Sequence, residues 1–445
     1  MVVVKRRSER VAAPQFTRAD VEALSNDNSE PQWLAESRLA AWELYETMPM
    51  PTLQDEAWRR TDYSHVKWEQ ASKKVDASGA SIDLVPAESL EPLVGEEKGA
   101  LMVFVDGVLV EYDVPQELTD KGVIFKDLRT AADEDKDLVK SNLMTQAVKP
   151  DEGKFAALHA ALWNFGWFVH VPENVIAETP MHVVVYNSKP GVQMGHSLVV
   201  VEENAQATVI VDYTSADGDE QFGFIGATEL LTGDAANLQY VALQDWNRNT
   251  YEFNHQRARV GKQGNLDWII GLFGTQLSKN FIEMELDGTG ANGRVSGFFF
   301  ADDDQLFDLD TQQNHNAPAT NSDLLFKGAG KDVARTVWQG MIKSLPKMQK
   351  IDGFQASRNL LLSDTVRMDG IPGLEIEADD VACSHAATFG SLEEEPIHYL
   401  MSRGIPRNQA ELMLIEGFFD ELLQRVPFER VVERLQDSVQ AKILS

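Results

Sequence analysis

The feature that most constrains the fold is a recurrence of short, apolar, β-branched segments from about residue 180 onward. Similar stretches lead from a polar turn into such a segment: ENAQATVIV, DAANLQYVAL, KQGNLDWIIG, TGANGRVSGF and GAGKDVARTV. From Ala207 to Leu238, Leu266 and Arg294 the interval is about 28–31 residues. Strands that recur at 20–50 residues without intervening helices are typical of a β-solenoid, where each coil buries its face on the next. A β-sandwich is the alternative, but the absence of a hairpin rhythm favours the solenoid.

Helical patterns flank these repeats. Residues 1–97 are predicted to be mainly helical, and the segment Pro31–Met48 shows apolar residues at helical spacing. The core is predicted over 98–390, and it opens with a hairpin at Leu101–Tyr112 because an Asp-Gly dipeptide separates two β-branched runs there. Residues 391–445 are predicted to form a C-terminal helical domain. The sequence therefore predicts a mainly β fold with helices at both termini.

The C-terminal domain reads as a helical pair that covers the end of the solenoid, because open strand edges invite aggregation. A capping box at Ser391 begins the first helix, and Gly404 ends it. The second helix, 407–426, has one clear apolar face. Leu414 and Phe418 lie on a different side of it, which indicates either a third packing layer or a docking surface for a partner. The residues leave both interpretations open.

Charge and cysteine content narrow the class of protein. Aspartate and glutamate number 70 against 40 lysines and arginines, which gives a net charge of −30. Nucleic acid and anionic membranes are therefore unsuitable partners. No apolar run reaches the length of a membrane helix, and Met1–Arg10 has the reverse order of a signal peptide. With a single cysteine the chain can form neither an internal disulfide nor a multi-cysteine metal site, and we expect it in the cytoplasm.

Two glycine-rich motifs resemble nucleotide-binding sequences. Gly288–Gly293 has the spacing of a dinucleotide fingerprint, but the strand-like RVSGFFF follows it where the motif requires a helix. We interpret it as a solenoid turn. Gly328–Asp332 hints at a P-loop, yet Leu325 stands where the first glycine belongs and Asp332 where a hydroxyl belongs. The sequence predicts no ATP site of that kind.

An acidic stretch with one histidine could supply oxygen ligands for a metal: Asp302–Asp304, Asp308, Asp310 and His315. Consecutive aspartates between strands are usually solvated turn residues, and this spacing fits no calcium loop. We therefore favour the structural interpretation.

Cys383 and His385 form the remaining candidate site. In an extended segment their side chains share one face, because strand side chains alternate. A thiolate is the usual protein ligand of an iron–sulfur cluster, and an imidazole can replace it. Two ligands are too few for a stable cluster, so such a site would be transient or completed by another chain. The simpler alternative is a buried, inert thiol.

The sequence around this pair resembles a known family. From Gly353 to Gly390 the chain contains S-x-N-L-L-L-S-D and, after a proline turn, L-E-I-x-A-D-D-V-x-C-S-H-x-A-T. This stretch resembles the C-terminal core of the SufB/SufD family of iron–sulfur cluster assembly scaffolds, and its SufD branch more closely. The likeness extends from about Trp33 to Val426. It implies a right-handed parallel β-helix between N-terminal and C-terminal helical regions, which agrees with the repeat pattern.

The resemblance also implies partners and site residues. A SufD-like chain pairs with SufB through the β-helix core and binds the ATPase SufC through its C-terminal helices, where Leu414 and Phe418 are our candidate contacts. It implies that nascent, transient iron–sulfur clusters form at the SufB–SufD interface, with His385 and Cys383 contributed by this chain. Flavin is associated with the assembled complex of this family, although the sequence contains no flavin motif.

Two departures from SufB define the expected role. The stretch RNLLLSD, 358–364, lacks the cysteine that SufB has there. Ala386 stands where SufB has a glutamate after the corresponding histidine. The chain should therefore not build a cluster alone, and we expect a scaffold subunit that is not an enzyme. The alternatives are a SufB-like subunit or a homodimer of the same family. From another class, a β-helix enzyme acting on polysaccharides is the alternative.

Overall fold

The structure is a computed structural model that describes residues 13–70, 72, 74–91 and 99–444. Met1–Arg10 and the predicted boundary between residues 97 and 98 lie outside the described residues. The α-helices are α1 (Arg18–Asp27), α2 (Gln32–Thr47), α3 (Gln116–Asp120), α4 (Leu128–Glu134), α5 (Lys136–Asn142), α6 (Lys154–Leu162), α7 (Glu394–Ser402), α8 (Arg407–Leu423) and α9 (Glu429–Leu444).

Strands make up most of the rest. They are β1 (Ala100–Val105), β2 (Val108–Asp113), β3 (Ile124–Asp127), β4 (Phe165–Val171), β5 (Met181–Asn187), β6 (Gly191–Gln193), β7 (Gly195–Val201), β8 (Gln206–Ser215), β9 (Phe222–Thr232), β10 (Asn237–Asp245), β11 (Thr250–Val260), β12 (Asn265–Leu272), β13 (Leu277–Leu286), β14 (Asn292–Ala301), β15 (Leu306–His315), β16 (Asn321–Gly330), β17 (Arg335–Ser344), β18 (Ile351–Leu361), β19 (Arg367–Ile376) and β20 (Val381–Ser391).

These strands form a parallel β-solenoid of about eight turns, which confirms the predicted fold class. Sheet I has the order β2-β1-β5-β8-β10-β12-β14-β16-β18-β20, and sheet II has the order β19-β17-β15-β13-β11-β9-β7-β4-β3. Each coil contributes one strand to each sheet. The main hydrophobic core lies between the two sheets, because the inward side chains of successive coils stack in columns.

Successive strands of sheet I begin 27 to 31 residues apart and stay in register. Asn265 Nδ2 donates to Asn237 Oδ1 over 3.0 Å, and Asn292 Nδ2 donates to Asn265 Oδ1 over 3.2 Å. The predicted alignment of Leu266 with Arg294 is wrong by one residue, since Leu266 pairs with Gly293. The grouping of GAGKDVARTV with the other four segments was also wrong. It forms the turn from β16 of sheet I into β17 of sheet II, whereas the others lead into strands of sheet I.

The turns before the sheet I strands explain the glycine motif. The second residue before the strand has a left-handed backbone at Asn204, Ala235 and Gln263, with φ between 54° and 56°. Gly290 has the same place in its turn, with φ at 75°, and β14 follows it. A left-handed residue is easiest for glycine. The interpretation of 288–293 as a solenoid turn is confirmed.

The two ends of the solenoid differ. At the N-terminal end the antiparallel strands β2 and β3 finish the sheets, and the predicted hairpin is confirmed with its turn at Asp106 and Gly107. At the C-terminal end β19 and β20 are the last strands of their sheets, and no further strand of the described chain pairs with them. This end is open.

The expectation that the C-terminal helices cover this end is wrong. Ile415, Phe419 and Leu422 of α8 pack on the outer face of sheet I, against Phe298 and Phe300 of β14. The reason is that the middle strands of sheet I are apolar on both faces, so their outer face needs a cover of its own. The alternating pattern alone does not reveal which face receives the helices.

The helix boundaries also differ in part from the prediction. Glu393, and not Ser391, is the N-cap of α7, because Ser391 is still part of β20. Gly404 has φ at 89° after α7, as predicted. The sequence analysis missed α9, whose Val431, Leu435 and Val439 form a separate apolar stripe on sheet I. α9 therefore packs on the same face of sheet I as α8.

The N-terminal helices cover the outer face of sheet II. α2 matches its predicted span closely, and the aromatic residues after it are packing anchors: Trp58, Tyr63 and Trp68, which pack on Phe155 and Phe253. Beneath them Lys279 and Asp308 form a fully buried ion pair, with Nζ and Oδ1 3.0 Å apart. Thr61 donates a hydrogen bond to the same Asp308 carboxylate.

His255, which is buried under these helices, makes the stability of the chain depend on pH. Its ring stacks on Phe281 with centroids 4.9 Å apart, and burial lowers the pKa of His255 from 6.5 to about 3. Because this pKa is lowered in the folded state, the unfolded chain takes up the proton first as the pH falls. The contribution of neutral His255 to stability is therefore present above pH 6.5 and is lost as the pH falls toward 3.

We therefore expect a His255→Gln variant to be less stable than the wild type at pH 7.5 and to lose less stability in acid. The free-energy difference between the two should narrow by about 1.4 kcal/mol per pH unit below 6.5. Denaturant unfolding at pH 7.5, 5.5 and 4.5 measures this. If the free energies of unfolding of the two proteins changed in parallel with pH, His255 would not be the source of this pH dependence.

Candidate functional site

The candidate site lies on β20, the outermost strand of sheet I at the open end. β20 pairs with β18 in register, so that Gly353 faces Cys383 and Gln355 faces His385. In-register parallel strands direct paired side chains to the same side. Gln355 points between the two sheets, because its amide reaches carbonyl groups of sheet II. Cys383 and His385 therefore share the inward face, as the sequence predicts.

Cys383 lies at an inner corner of the solenoid. A Cβ built on Gly353 would lie 3.3 Å from Cys383 Sγ and 3.2 Å from His315 Nε2, so glycine leaves a gap between the thiol and the imidazole. The thiol is half-buried, and burial raises its pKa. Burial thus favours the protonated thiol over the thiolate.

His315 has a fixed role beside this gap. Its Nδ1 lies 2.7 Å from Thr320 Oγ1 and its Nε2 lies 2.9 Å from Ser322 Oγ. Thr320 donates to the Ala317 carbonyl, and therefore accepts from His315 Nδ1. His315 Nε2 is then an acceptor of the Ser322 hydroxyl proton. The position of His315 beside Cys383 was not predicted, because the two residues are 68 positions apart in sequence.

His385 is exposed at the open end, and within the described residues it has no side-chain partner. No cluster of three or more His, Cys, Asp or Glu residues suited to a metal occurs in the described part of the chain. The acidic candidates are engaged elsewhere. Asp302 pairs with Arg248 and Lys442, and both Asp308 and Asp310 lie near Lys279.

The other predicted site residues lie on α8. Leu414 and Phe418 are both half-buried, and Lys327 Nζ lies 5.1 Å above the Phe418 ring. Lys327 also donates to the Phe418 carbonyl over 2.6 Å. Phe418 is therefore partly used within the chain, whereas Leu414 lies next to the exposed Met413. The two sites are separate: one at the open end and one on the helical arm.

Comparison with known proteins places this geometry in a family. The family model for the SufBD core domain of the SUF system for FeS cluster assembly matches residues 184–418, and that for the SufBD N-terminal region matches 19–183. The chain is 33% identical to the iron–sulfur cluster assembly protein SufD of Bacillus subtilis, over 95% of this chain and 97% of that protein. The chain belongs to the SufB/SufD family.

Other SufB/SufD relatives show the same extent of similarity. SufBD family proteins described as iron–sulfur cluster assembly proteins match from Staphylococcus saprophyticus, with 29% identity over 96% of this chain and 92% of that one, and from Staphylococcus epidermidis, with 27% over 96% and 92%. The resemblance that the Cys-Ser-His segment predicts is thus confirmed along the whole chain. Within the SufB/SufD family the chain is SufD-like, and the comparisons do not favour a polysaccharide-active enzyme.

Two further features of the chain concern its helices and its cysteine. No helix of the described residues is long and apolar enough to cross a membrane. The 358–364 stretch, which forms much of the second half of β18, carries no cysteine, so the one thiol of the chain is at the open end.

Proposed function

We propose that this chain is the SufD-like scaffold subunit of a SufBCD complex, in which nascent iron–sulfur clusters form where its open end meets SufB. The observation that carries the proposal is the position of Cys383 and His385. Both face inward on the last strand of sheet I, where a partner can complete the ligand set. The cluster is cargo that the two chains share briefly, and SufC hydrolyses the ATP. The proposal places this complex in the cytoplasm.

The chemistry of the open end supports pairing with SufB. β20 has the sequence VACSHAATFGS, which contains no Lys, Arg, Asp or Glu. Exposed edge strands usually carry charge or proline as protection against pairing. β19 has such protection, with Arg367, Asp369 and Pro372, but β20 does not. The free edge of β20 is therefore suited to a strand of another chain, and a second copy of this chain could occupy it when SufB is absent.

The helical arm of α7 and α8 supports docking of SufC. Tyr399 and Met401 on α7 are 58% and 42% exposed, and Met413 on α8 is 48% exposed. Arg407 on α8 bridges to Glu394 on α7 with 2.6 Å between nitrogen and oxygen, which fixes the two helices against each other. Exposed methionine and aromatic side chains together on one rigid hairpin are typical of a protein-binding surface. Leu414 lies beside Met413.

The test is co-purification of this chain with its own SufB and SufC, comparing wild type with His385→Ala and Leu414→Asp. We expect His385→Ala to preserve the complex but to remove most of its iron and sulfide, because one ligand is missing. Leu414→Asp should instead lose SufC and retain SufB. Complex stoichiometry, iron and acid-labile sulfide are measured on the same samples.

Thr388→Ala is the matched control, because Thr388 lies on the same strand and faces the opposite side from His385. It should leave metal content and subunit ratios unchanged. If His385→Ala retains its full cluster content, the site assignment is wrong. If Leu414→Asp still binds SufC, the docking surface lies elsewhere.

Flavin enters the proposal only as a component of the assembled complex. A cleft of about 700 Å³ separates α7 and α8 from the turns of the last coils. Its described lining includes Glu394, Arg407 and Glu411, which pair with one another, and includes no aromatic side chain on which a flavin ring could stack. We assign no flavin site to this cleft.

A further inference from the structure

Three ionisable side chains under the N-terminal helices form a hydrogen-bonded row that is closed to water. His159 lies on α6, and His196 and Glu229 lie on β7 and β9 of sheet II. All three are fully buried. His159 Nε2 lies 3.0 Å from His196 Nδ1, and His196 Nε2 lies 3.0 Å from Glu229 Oε2. The row therefore connects the helical cover with the solenoid.

Both ends of this row are acceptors. His159 Nδ1 lies 2.9 Å from the carbonyl oxygen of Ile225, which can only accept a hydrogen bond. At the other end the Glu229 carboxylate accepts the backbone N–H groups of Met144 over 2.7 Å and of Val148 over 3.1 Å. An ionised carboxylate is also an acceptor only. Three contacts thus lie between two acceptors, and each contact needs one proton.

The two imidazoles alone cannot supply these protons. A neutral imidazole carries a single N–H, so His159 and His196 together bring two protons to three contacts. The third proton is held either by Glu229 as a carboxylic acid or by one ring as an imidazolium. In both cases the row is neutral as a whole, which avoids the cost of an unpaired buried carboxylate. Burial raises the pKa of Glu229 to about 8 and lowers the pKa of His196 to about 3, which places this proton on Glu229.

The arginines around the row are engaged in ion pairs of their own: Arg38 of α2 with Glu30, and Arg257 of β11 with Glu152 and Glu283. The charge of Arg38 disfavours a proton on either ring, and the charge of Arg257 favours ionised Glu229. Both cations therefore oppose the extra proton, and the burial of Glu229 outweighs them. His255 on β11 is a further titratable neighbour, and burial keeps it neutral by lowering its pKa.

We propose that His159, His196 and Glu229 form a proton-dependent clasp, which fastens α6 to sheet II while the extra proton is bound and loosens when that proton is lost. Once ionised, Glu229 takes the N–H of His196, so that each ring must carry its proton on Nε2 instead of Nδ1. His159 Nδ1 then faces the Ile225 carbonyl without a proton, and two lone pairs oppose each other. The contact that fails belongs to the helix.

The pH dependence of this clasp has a definite sign. Because the pKa of Glu229 is raised in the folded state, the stability that the clasp supplies is lost as the pH rises from 4.5 to 8. Hydrogen exchange of the full chain, corrected for the intrinsic rate at each pH, measures the opening of α6. From pH 6.5 to 7.5 we expect the opening equilibrium constant of wild-type α6 to rise about tenfold relative to that of Glu229→Gln. The amide of this variant carries its N–H groups at every pH.

His255→Gln is the control, because it removes a histidine that is buried under the same helices but lies outside the row. Its α6 should follow the pH dependence of the wild type over this interval. An equal pH dependence of the wild type and Glu229→Gln would overturn the clasp, and so would a loss of the wild-type dependence in His255→Gln.

The tautomers of the two rings test the clasp in the wild type, without any substitution. With the proton on Glu229, His159 and His196 both carry their proton on Nδ1, and after Glu229 ionises both carry it on Nε2. Nitrogen-15 spectra of the histidine-labelled chain should therefore show two buried rings that change tautomer together in one step near pH 8. Constant tautomers of both rings from pH 6.5 to 9 would show that the row releases no proton, and the proposal would be wrong.

Discussion

Asp308→Ala is expected to destabilise the chain by about 3–5 kcal/mol, because it leaves the Lys279 ammonium buried without its closest counter-charge. Lys279 and Asp308 are both inaccessible to water, and Asp310 Oδ2 is 3.9 Å from Lys279 Nζ. The substitution also removes the acceptor of the Thr61 hydroxyl, which ties the N-terminal segment to β15. The effect should appear as a lower denaturant midpoint for the whole chain.

The exposed pair Lys343–Glu375 provides the comparison, since it has a similar separation of 2.9 Å on the same sheet but lies at the surface. Glu375→Ala should change the free energy of unfolding by less than about 1 kcal/mol. A double replacement of Lys279 and Asp308 by Met and Leu should recover much of the loss, because it removes both charges together. Equal losses for Asp308→Ala and Glu375→Ala would contradict the buried-pair account.

Leu374→Glu is expected to abolish stable pairing with SufB while leaving the fold intact. Leu374 faces inward on β19 and is 38% exposed, and Phe389 and Ile376 lie exposed at the same open end. An apolar rim that a partner covers loses about 2–4 kcal/mol when its centre becomes charged, which raises the Kd by about 30-fold to 1000-fold. The free chain gains no buried charge, because this rim is already in contact with water.

Val333→Glu is the control for this substitution. Val333 is 62% exposed, more than Leu374, but it lies in the turn between β16 and β17, away from the open end. Titration of SufB with each purified variant should show weak binding only for Leu374→Glu, with unchanged melting temperatures for both. If Leu374→Glu binds SufB as tightly as the wild type, the interface does not include this rim.

The sequence contains most of the information on the class of fold, because a period of about 28–31 residues that recurs from Ala207 to Arg294 is a strong signal. It predicted that the two-residue spacing puts Cys383 and His385 on one face, and that 288–293 is a solenoid turn. It could not reveal where the C-terminal helices pack, since sheet I is apolar on both faces. α9 could have been predicted, because Val431, Leu435 and Val439 recur at helical spacing.

The surroundings of the candidate site were beyond sequence reasoning for a physical reason. Gly353 and His315 lie beside Cys383 across coils, 30 residues before it in β18 and 68 residues before it in β15. Glutamine and histidine at alternating strand positions normally indicate solvent-facing side chains. Only the register of the solenoid shows that Gln355 faces inward and that a glycine opposite Cys383 leaves space there.

The short link between β20 and α7 has a mechanical consequence. Only Leu392 and Glu393 join the strand that carries His385 to the helix that we propose as part of the SufC docking arm. Two residues span at most about 7 Å, so they provide little slack. β20 is hydrogen-bonded within its own chain on one side only, to β18. A pull on α7 therefore loads a single row of hydrogen bonds, and the force acts first on the strand that bears the proposed cluster ligands.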